Sequence, residues 1–196
     1  GTYLIAPEIG KICKDYLDLN FDLQYSNKVI DLVKDGFDLA IRIGKLKESQ
    51  LKVKRIGRLE LILVASEEYL NSHSKIKSVS DLKEHNCLSI SGLSMTKNWE
   101  LVKDGKKSSV LIKARIESNQ MSSLIQAAIS GAGVVLAPSF ICTPEIQKGR
   151  LKRVLNGWSN QGLPVSLVSP VSIAGTARLK IVSDQIFNAI KKKLVS

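Results

Sequence analysis

The hydrophobic positions of this 196-residue chain switch repeatedly between helical and extended spacing. Residues 7–16 carry their apolar side chains on one helical face, and residues 19–25 then alternate apolar and polar side chains, which is typical of a strand with one buried face. A helix over 28–35 and a strand over 37–43 follow, and Gly36 between them occupies the position of a helix C-cap. The pattern therefore predicts an α/β fold.

The middle of the chain continues this alternation but adds an antiparallel pair. Asp104-Gly105 lies between two extended runs and is a strong signal for a β-hairpin. Short helices begin at Ser66 and Ser80. We therefore expect mixed sheets, with further strands over 51–57, 59–65, 87–91, 151–155 and 165–168 and helices over 140–148 and 176–194.

The Gly-Ala-Gly at 131–133 separates a helix from a strand. A nucleotide-binding loop has its glycines after a strand and at the start of a helix, where backbone N–H groups face the phosphate. Here the order is reversed, because Gly131 follows a helical repeat and precedes a short buried run over 134–136. The glycines therefore end a helix, and a ligand would lie beyond the strand's carboxyl end, at Pro138-Ser139.

Two similar halves account for a repeat in the sequence. The helix, glycine and strand at 30–44 recur at 124–139, although any βαβ protein could repeat this order by chance. The first half has too few predicted strands before residue 66 to form a complete subdomain, and the end of the chain could return to complete it. We therefore predict two Rossmann-like subdomains, a discontinuous one over 1–66 plus 168–196 and a second over 67–167, with a small ligand in the cleft between them.

The net charge of +11 raises the possibility of nucleic-acid binding. Lysines and arginines crowd the segments 45–58 and 103–115. Aromatic residues make up only 5% of the chain, they are not interleaved with these segments, and no helix-turn-helix or RNA-binding signature is present. The pattern favours a solvated lysine-rich surface over a direct nucleic-acid groove.

Other site chemistries find little support in the composition. The three cysteines are widely spaced and odd in number, which fits buried thiols in a reducing compartment. His73 and His85 lack neighbouring ligands at metal-binding spacing, so we predict no metal and no cofactor. No apolar run is long enough to cross a bilayer, and we predict no membrane contact.

An ordered series of motifs resembles the LysR-type transcriptional regulators. Residues 29–44, VIDLVKDGFDLAIRIG, are very similar to that family's vDLv-x-eGfDlaiRiG stretch. Further matches follow in the family's order over almost the whole chain, at 48–51 (D-S-x-L), 64–70 (vAsPxYL), 81–88 (DLxxHxCL), Trp99, Asn119, 127–138 (AAxaGxGixxlP), 149–151 (GxL) and Trp158.

The resemblance implies the C-terminal effector-binding domain of a cytoplasmic regulator, with a fold like the type II periplasmic binding proteins. It implies a small-molecule effector such as an organic acid, and a homodimer or homotetramer. DNA would be bound only through an N-terminal winged helix-turn-helix that this sequence does not contain. The family's domain also begins with a strand that we expect to be missing here, so that the chain is clipped or another segment fills the gap.

Six residues are candidates for effector binding, and three of them, Thr2, Ser26 and Ser139, lie at junctions that line the pocket in the resemblance. Arg42 could hold a carboxylate by two parallel hydrogen bonds, or form an ion pair with Asp38 or Glu48. Asn119 begins a helix, where an anion is favoured, or serves as that helix's N-cap. The other four carry short hydroxyls that could also be local caps, namely Thr2, Ser26, Ser118 and Ser139.

Two other classes of protein are alternatives to a regulator. A periplasmic-type solute-binding protein for a small anion would share the shape, but the free cysteines count against it. An enzyme ranks last, because no nucleophile with a paired base, metal cluster or carboxylate dyad is evident, and we predict no catalytic residues. His85 is expected to fix a short helix to a strand by hydrogen bonds.

Overall fold

The computed structural model describes residues 3–46, 50–92, 97–170 and 176–194. The helices are α1 (Ala6–Asp15), α2 (Glu67–Ser72), a 3₁₀ helix (Val79–Glu84), α3 (Met121–Ile129), α4 (Ser139–Gln147) and α5 (Ala177–Leu194). The strands are β1 (Ala40–Ile43), β2 (Lys52–Ala65), β3 (Cys87–Ile90), β4 (Asn98–Lys103), β5 (Lys106–Leu111), β6 (Ala114–Ser118), β7 (Val134–Pro138), β8 (Lys152–Arg153) and β9 (Ser159–Ser169).

The residues cluster into two compact units. Unit 1 consists of Gly1–Leu59 with Leu163–Ser196, and unit 2 of Glu60–Gly162. The chain passes from one unit to the other inside β2 and again inside β9. The predicted subdomains change at 66/67 and 167/168 instead, and that division stays a prediction.

Unit 1 is built on the packing of α1 against α5. Strand β1 pairs antiparallel with the end of β9, in a register that places Ala40 opposite Val168 and Ile43 opposite Val165. Apolar side chains from both helices and from β9 are buried here, including Ile9, Ile12, Val165, Leu167, Val182, Ile186 and Ile190.

The predicted strand over 19–25 and the predicted helix over 28–35 are wrong. The segment 16–39 contains neither a helix nor a strand, and Leu23 and Tyr25 are 40% and 54% exposed. Short turns form at 17–18 and 32–36, and at the start of the second Asp31 accepts hydrogen bonds from the Val33 and Lys34 N–H groups. Amphipathic spacing stabilises a helix only when its apolar face is packed, and in 28–35 Leu32 is buried but Val29 and Val33 are exposed.

Unit 2 carries the parallel strands found among the described residues. Strand β3 pairs parallel with both β6 and β7, and β2 pairs antiparallel with β7. Helix α3 packs against β3, β6 and β7, and α4 packs against β7. The core between them includes Ile62, Val64, Leu88, Leu124, Ile125, Ala128, Val135, Cys142 and Leu151. The predicted mixed α/β fold is confirmed.

Two predicted turns are confirmed in detail. Asp104 and Gly105 have φ angles of 47° and 77° and join β4 to β5, as a type I′ hairpin turn requires. At the end of α3, Gly131 has a φ of +80°, its N–H donates to the Ala128 carbonyl, and the Ala132 N–H donates to the Ala127 carbonyl. This pair of bonds is a Schellman motif, so Gly131 ends a helix as predicted.

Candidate functional site

The carboxyl ends of three parallel strands lie at one edge of unit 2. Strand β3 leads into Ser91-Gly92, β6 ends at Ser118 before Asn119, and β7 leads into Ser139. The ends of β3 and β6 are joined directly, because Ile90 lies opposite Ser118 and the Ser91 N–H donates to the Ser118 carbonyl at 2.8 Å. The edge therefore collects hydroxyl and amide side chains, as expected for a ligand site in an α/β sheet.

Two helices begin at the same edge. Gln120 occupies the N-cap position of α3 and Pro138 that of α4, and neither side chain accepts a cap hydrogen bond. The first N–H groups of a helix have no acceptor within it, and the helix dipole favours negative charge beside them. Two helix starts without a side-chain cap make this edge suitable for an anion.

The structure brings three of the six predicted residues to this edge, namely Ser118, Asn119 and Ser139. Ser118 also has a local role, since its Oγ accepts the Gln120 N–H at 3.1 Å. The alternative role of Asn119, as the N-cap of α3, is wrong by one position, because the N-cap is Gln120. Ser91 was missed, because the sequence predicted its strand but not that β3 runs parallel beside β6.

The other candidates lie in unit 1. Arg42 is half-buried in β1 and donates from Nη2 to the Ile30 carbonyl at 2.5 Å, rather than to Asp38. Ser26 Oγ accepts the Lys28 N–H at 3.0 Å, which is the local turn bond that competes with a ligand role. Thr2 and Glu48, the other predicted ion-pair partner of Arg42, lie outside the described residues.

Comparison with known sequences decides the family. The sequence model of the LysR substrate binding domain matches residues 1–187. The chain belongs to this family. The match confirms the resemblance found in the motifs, and it covers all of unit 2 and most of unit 1 of this LysR substrate-binding domain.

Relatives of the LysR substrate-binding domain include longer regulators. An uncharacterized HTH-type transcriptional regulator of Haemophilus influenzae is 29% identical over 87% of this chain and 59% of its own length. The HTH-type transcriptional activator TtdR of Escherichia coli is 32% identical over 79% of this chain and 50% of its own length. The chain thus spans about half the length of these relatives.

A solved structure supports the fold of the LysR substrate-binding domain. The CrgA regulatory domain, from a LysR-type transcriptional regulator of Neisseria meningitidis, is 26% identical, with a TM-score of 0.85 over 95% of this chain and 92% of that domain. The predicted likeness to the type II periplasmic binding proteins is thereby confirmed, since regulatory domains of this family have that fold.

His85 of the LysR substrate-binding domain fixes α2 to the start of β3, as predicted. The Asn86 N–H donates to Tyr69 Oη at 2.9 Å, and Tyr69 Oη lies 3.1 Å from His85 Nδ1. The Tyr69 hydroxyl proton is therefore directed at Nδ1, which assigns the His85 proton to Nε2, 3.4 Å from Ser74 Oγ. Both ring nitrogens of this buried, neutral imidazole are thus accounted for.

Stability of this domain should fall as the pH drops below neutral. Burial, and then the nearby charge of His73, lower the pKa of His85, while Asp81 and Glu84 act in the opposite direction. Since the unfolded chain binds the proton more readily, the stabilisation is complete above the ordinary histidine pKa of about 6.5 and declines as the pH falls below it. Urea unfolding at pH 7.5 and 5.5 measures this decline.

His85→Gln is the matched variant for that measurement. It should be less stable than the parent at pH 7.5, because it loses the fit to Tyr69, but its free energy of unfolding should change less between the two pH values. An equal pH dependence in parent and variant would assign the effect to other groups.

The cysteines of the LysR substrate-binding domain are free thiols, and two of the three are buried. Burial raises the pKa of Cys87 and of Cys142 to about 12, so neither is a reactive thiolate near neutral pH. Cys13 is exposed on α1, which corrects the expectation that the thiols are buried. Across the described residues, no three His, Cys, Asp or Glu side chains are grouped so that they could hold a metal ion.

None of the described helices is long and apolar enough to span a bilayer.

Proposed function

We propose that this LysR substrate-binding domain is the ligand-sensing part of a transcription factor, and that it binds a small organic acid at the carboxyl ends of β3, β6 and β7. The observation that carries the proposal is the coincidence, at one edge, of three parallel strand ends with the starts of α3 and α4. A carboxylate there can accept hydrogen bonds from backbone N–H groups and from polar side chains at once.

Three of the candidate residues have a defined role in this proposal. Asn119 and the hydroxyls of Ser118 and Ser139 orient the carboxylate beside the first turns of α3 and α4. Arg42 stays a separate candidate in unit 1, with further guanidinium donors besides the one bonded to the Ile30 carbonyl. Ser26 and Thr2 complete the predicted set, and the predicted location of the effector between the subdomains stays a prediction.

Regulation would follow from a shift in the conformational equilibrium. An effector that binds one conformation of the domain more tightly raises its population, and the change is passed to a DNA-binding segment elsewhere in the full-length protein. The relatives support this division of labour, because they are named as HTH-type regulators and are about twice as long as the matched region. The working location of such a factor is the cytoplasm, and its activity is regulatory rather than enzymatic.

The oligomer would be a homodimer or homotetramer that uses α1 and α3. Members of this family pair antiparallel, with the first helix of one subdomain against a helix of the partner's second subdomain. Here α1 exposes Gly10 and Lys14, and α3 exposes Ser123 and Gln126. Gly10 and Ser123 are small, so two helices could approach closely at these positions. The family match favours this regulator over the solute-binding alternative.

A thermal-shift screen of organic acids tests the proposal. For a ligand found in the screen, Asn119→Ala should raise Kd at least about tenfold, which corresponds to about 1.4 kcal/mol. Arg42→Ala should do the same if the guanidinium contacts the effector. Asn98→Ala is the matched control, because Asn98 is an exposed asparagine on the β4–β5 hairpin, and it should leave Kd unchanged.

Unchanged affinity in both Asn119→Ala and Arg42→Ala, for every ligand that stabilises the parent, would refute the assignment of these residues. A ligand that is weakened by Asn98→Ala as much as by Asn119→Ala would refute the location.

A further inference from the structure

The outer surface of α5 carries an excess of positive charge. The helix contains five cationic side chains and one carboxylate, Asp184. Lys180, Asp184, Phe187 and Lys191 follow one another at helical spacing and therefore share a face. Lys54 of β2 packs against the same face, with Nζ 2.7 Å from Asp184 Oδ1 and 4.2 Å from the centre of the Phe187 ring.

We call Lys54, Lys180 and Lys191, grouped around Phe187, the lysine face. Lys191 Nζ lies 5.9 Å from the centre of the Phe187 ring, on the same helix as Lys180. Asp184 already interacts with two of these lysines. A hydrogen bond from Lys54 and the charge of Lys54, and then the charge of Lys180, lower the pKa of the Asp184 carboxyl group. One carboxylate thus faces three ammonium groups, and the face keeps a net positive charge.

The dimensions of the lysine face suit an extended polyanion. Lys180 and Lys191 are eleven residues apart, which is about 16 Å along a helix at 1.5 Å per residue. Duplex DNA carries one negative charge per ~1.7 Å of its axis, so this length spans several phosphates on one strand. The apolar part of the face is the Phe187 ring, which is covered by Lys54 and does not form an open groove.

We propose that the lysine face binds the phosphate backbone of duplex DNA, without sequence preference, beside the site that the full-length regulator reads. Duplex DNA is favoured over an acidic protein because relatives of this chain are named HTH-type regulators, whose DNA lies within reach of the same molecule. This contact is independent of the proposed effector site. It revises the sequence-based expectations of a merely solvated basic surface and of DNA contact only through an N-terminal domain.

Fluorescence anisotropy with a labelled random-sequence duplex of about 20 base pairs tests the proposal on the 196-residue chain. The chain should bind at about 50 mM salt and lose affinity steeply by about 200 mM. Lys180→Gln with Lys191→Gln should weaken binding about tenfold at the lower salt, and should reduce the slope of log K against log salt by nearly two. Lys180→Arg with Lys191→Arg should restore both.

Lys106→Gln with Lys107→Gln is the matched control. These lysines are exposed on β5 of unit 2, and their substitution removes the same net charge, so binding should change less than about twofold. Equal weakening by the two pairs would show a diffuse charge effect and overturn the proposal. So would a parent chain that does not bind the duplex at about 50 mM salt, or equal competition by polyglutamate of matched charge. Thermal melting of each variant confirms that it is folded.

Discussion

Gly133→Ala is expected to lower the free energy of unfolding by about 3 kcal/mol or more. Gly133 is buried with a φ of +154°, and a Cβ atom built on it would lie 2.1 Å from the Asn86 carbonyl oxygen and 2.9 Å from the carbonyl carbon. That oxygen accepts the Val134 N–H at 2.8 Å. The added methyl group would collide with backbone atoms, which cannot rotate away as a side chain can, so the chain before β3 and the chain before β7 must move apart.

Gly149→Ala is the matched control for Gly133→Ala. Gly149 has a φ of +72°, but nothing lies within 4 Å of the added Cβ, so only the cost of the left-handed conformation is expected, about 1–2 kcal/mol. Urea unfolding of both variants measures the difference. Equal losses would show that strain at φ, rather than the contact with Asn86, decides the effect.

Leu124→Ala should cost about 2–5 kcal/mol and should also weaken effector binding. Leu124 is fully buried in the first half of α3, within the cluster that joins this helix to β3, β6 and β7. Truncation leaves a cavity under the turn that follows Asn119. Because the proposed anion site depends on the position of this turn, a loosened α3 should raise Kd for any ligand of the parent.

Gln126→Ala separates packing from helix propensity in this test. Gln126 is exposed on the same helix, and its replacement should change the free energy of unfolding by less than about 0.5 kcal/mol. Denaturant unfolding and titration of the ligand provide the two readouts. If the Leu124→Ala domain loses stability but binds with unchanged Kd, the site does not depend on the packing of α3.

The sequence was most informative where local chemistry determines local structure. Asp104-Gly105 predicted the hairpin because few dipeptides tolerate two positive φ angles, and Gly131 predicted the end of α3 for a related reason. Ser66 was predicted to open a short helix, and its side chain accepts the Tyr69 N–H at the start of α2. In each case the determining interaction spans only a few residues.

The sequence failed where an element depends on a distant partner. The apolar alternation over 19–25 is genuine, but a strand needs a neighbouring ladder, and this segment forms none. The amphipathic pattern over 28–35 likewise leaves Val29 81% and Val33 68% exposed. Two predicted strands over 51–57 and 59–65 are one strand, β2, because Arg58 does not interrupt the extended backbone.

The candidate site shows the same difference between local and long-range determinants. Residues that follow predicted strands, such as Ser118, Asn119 and Ser139, could be named from the chain alone, helped by the resemblance to a known family. Ser91 could not, because the parallel pairing of β3 with β6 is a long-range fact. For the same reason, the bond from Arg42 to the Ile30 carbonyl was not foreseen.

The most direct test of the central claim is to follow the backbone amide resonances while an organic acid that stabilises the domain is added. We expect the largest shifts at the N–H groups that begin α3 and α4 and at Ser91, with little change at the β4–β5 turn. Shifts centred on that hairpin or on α2, with none at Ser91, Ser122 and Phe140, would contradict an anion site at the carboxyl ends of the parallel strands.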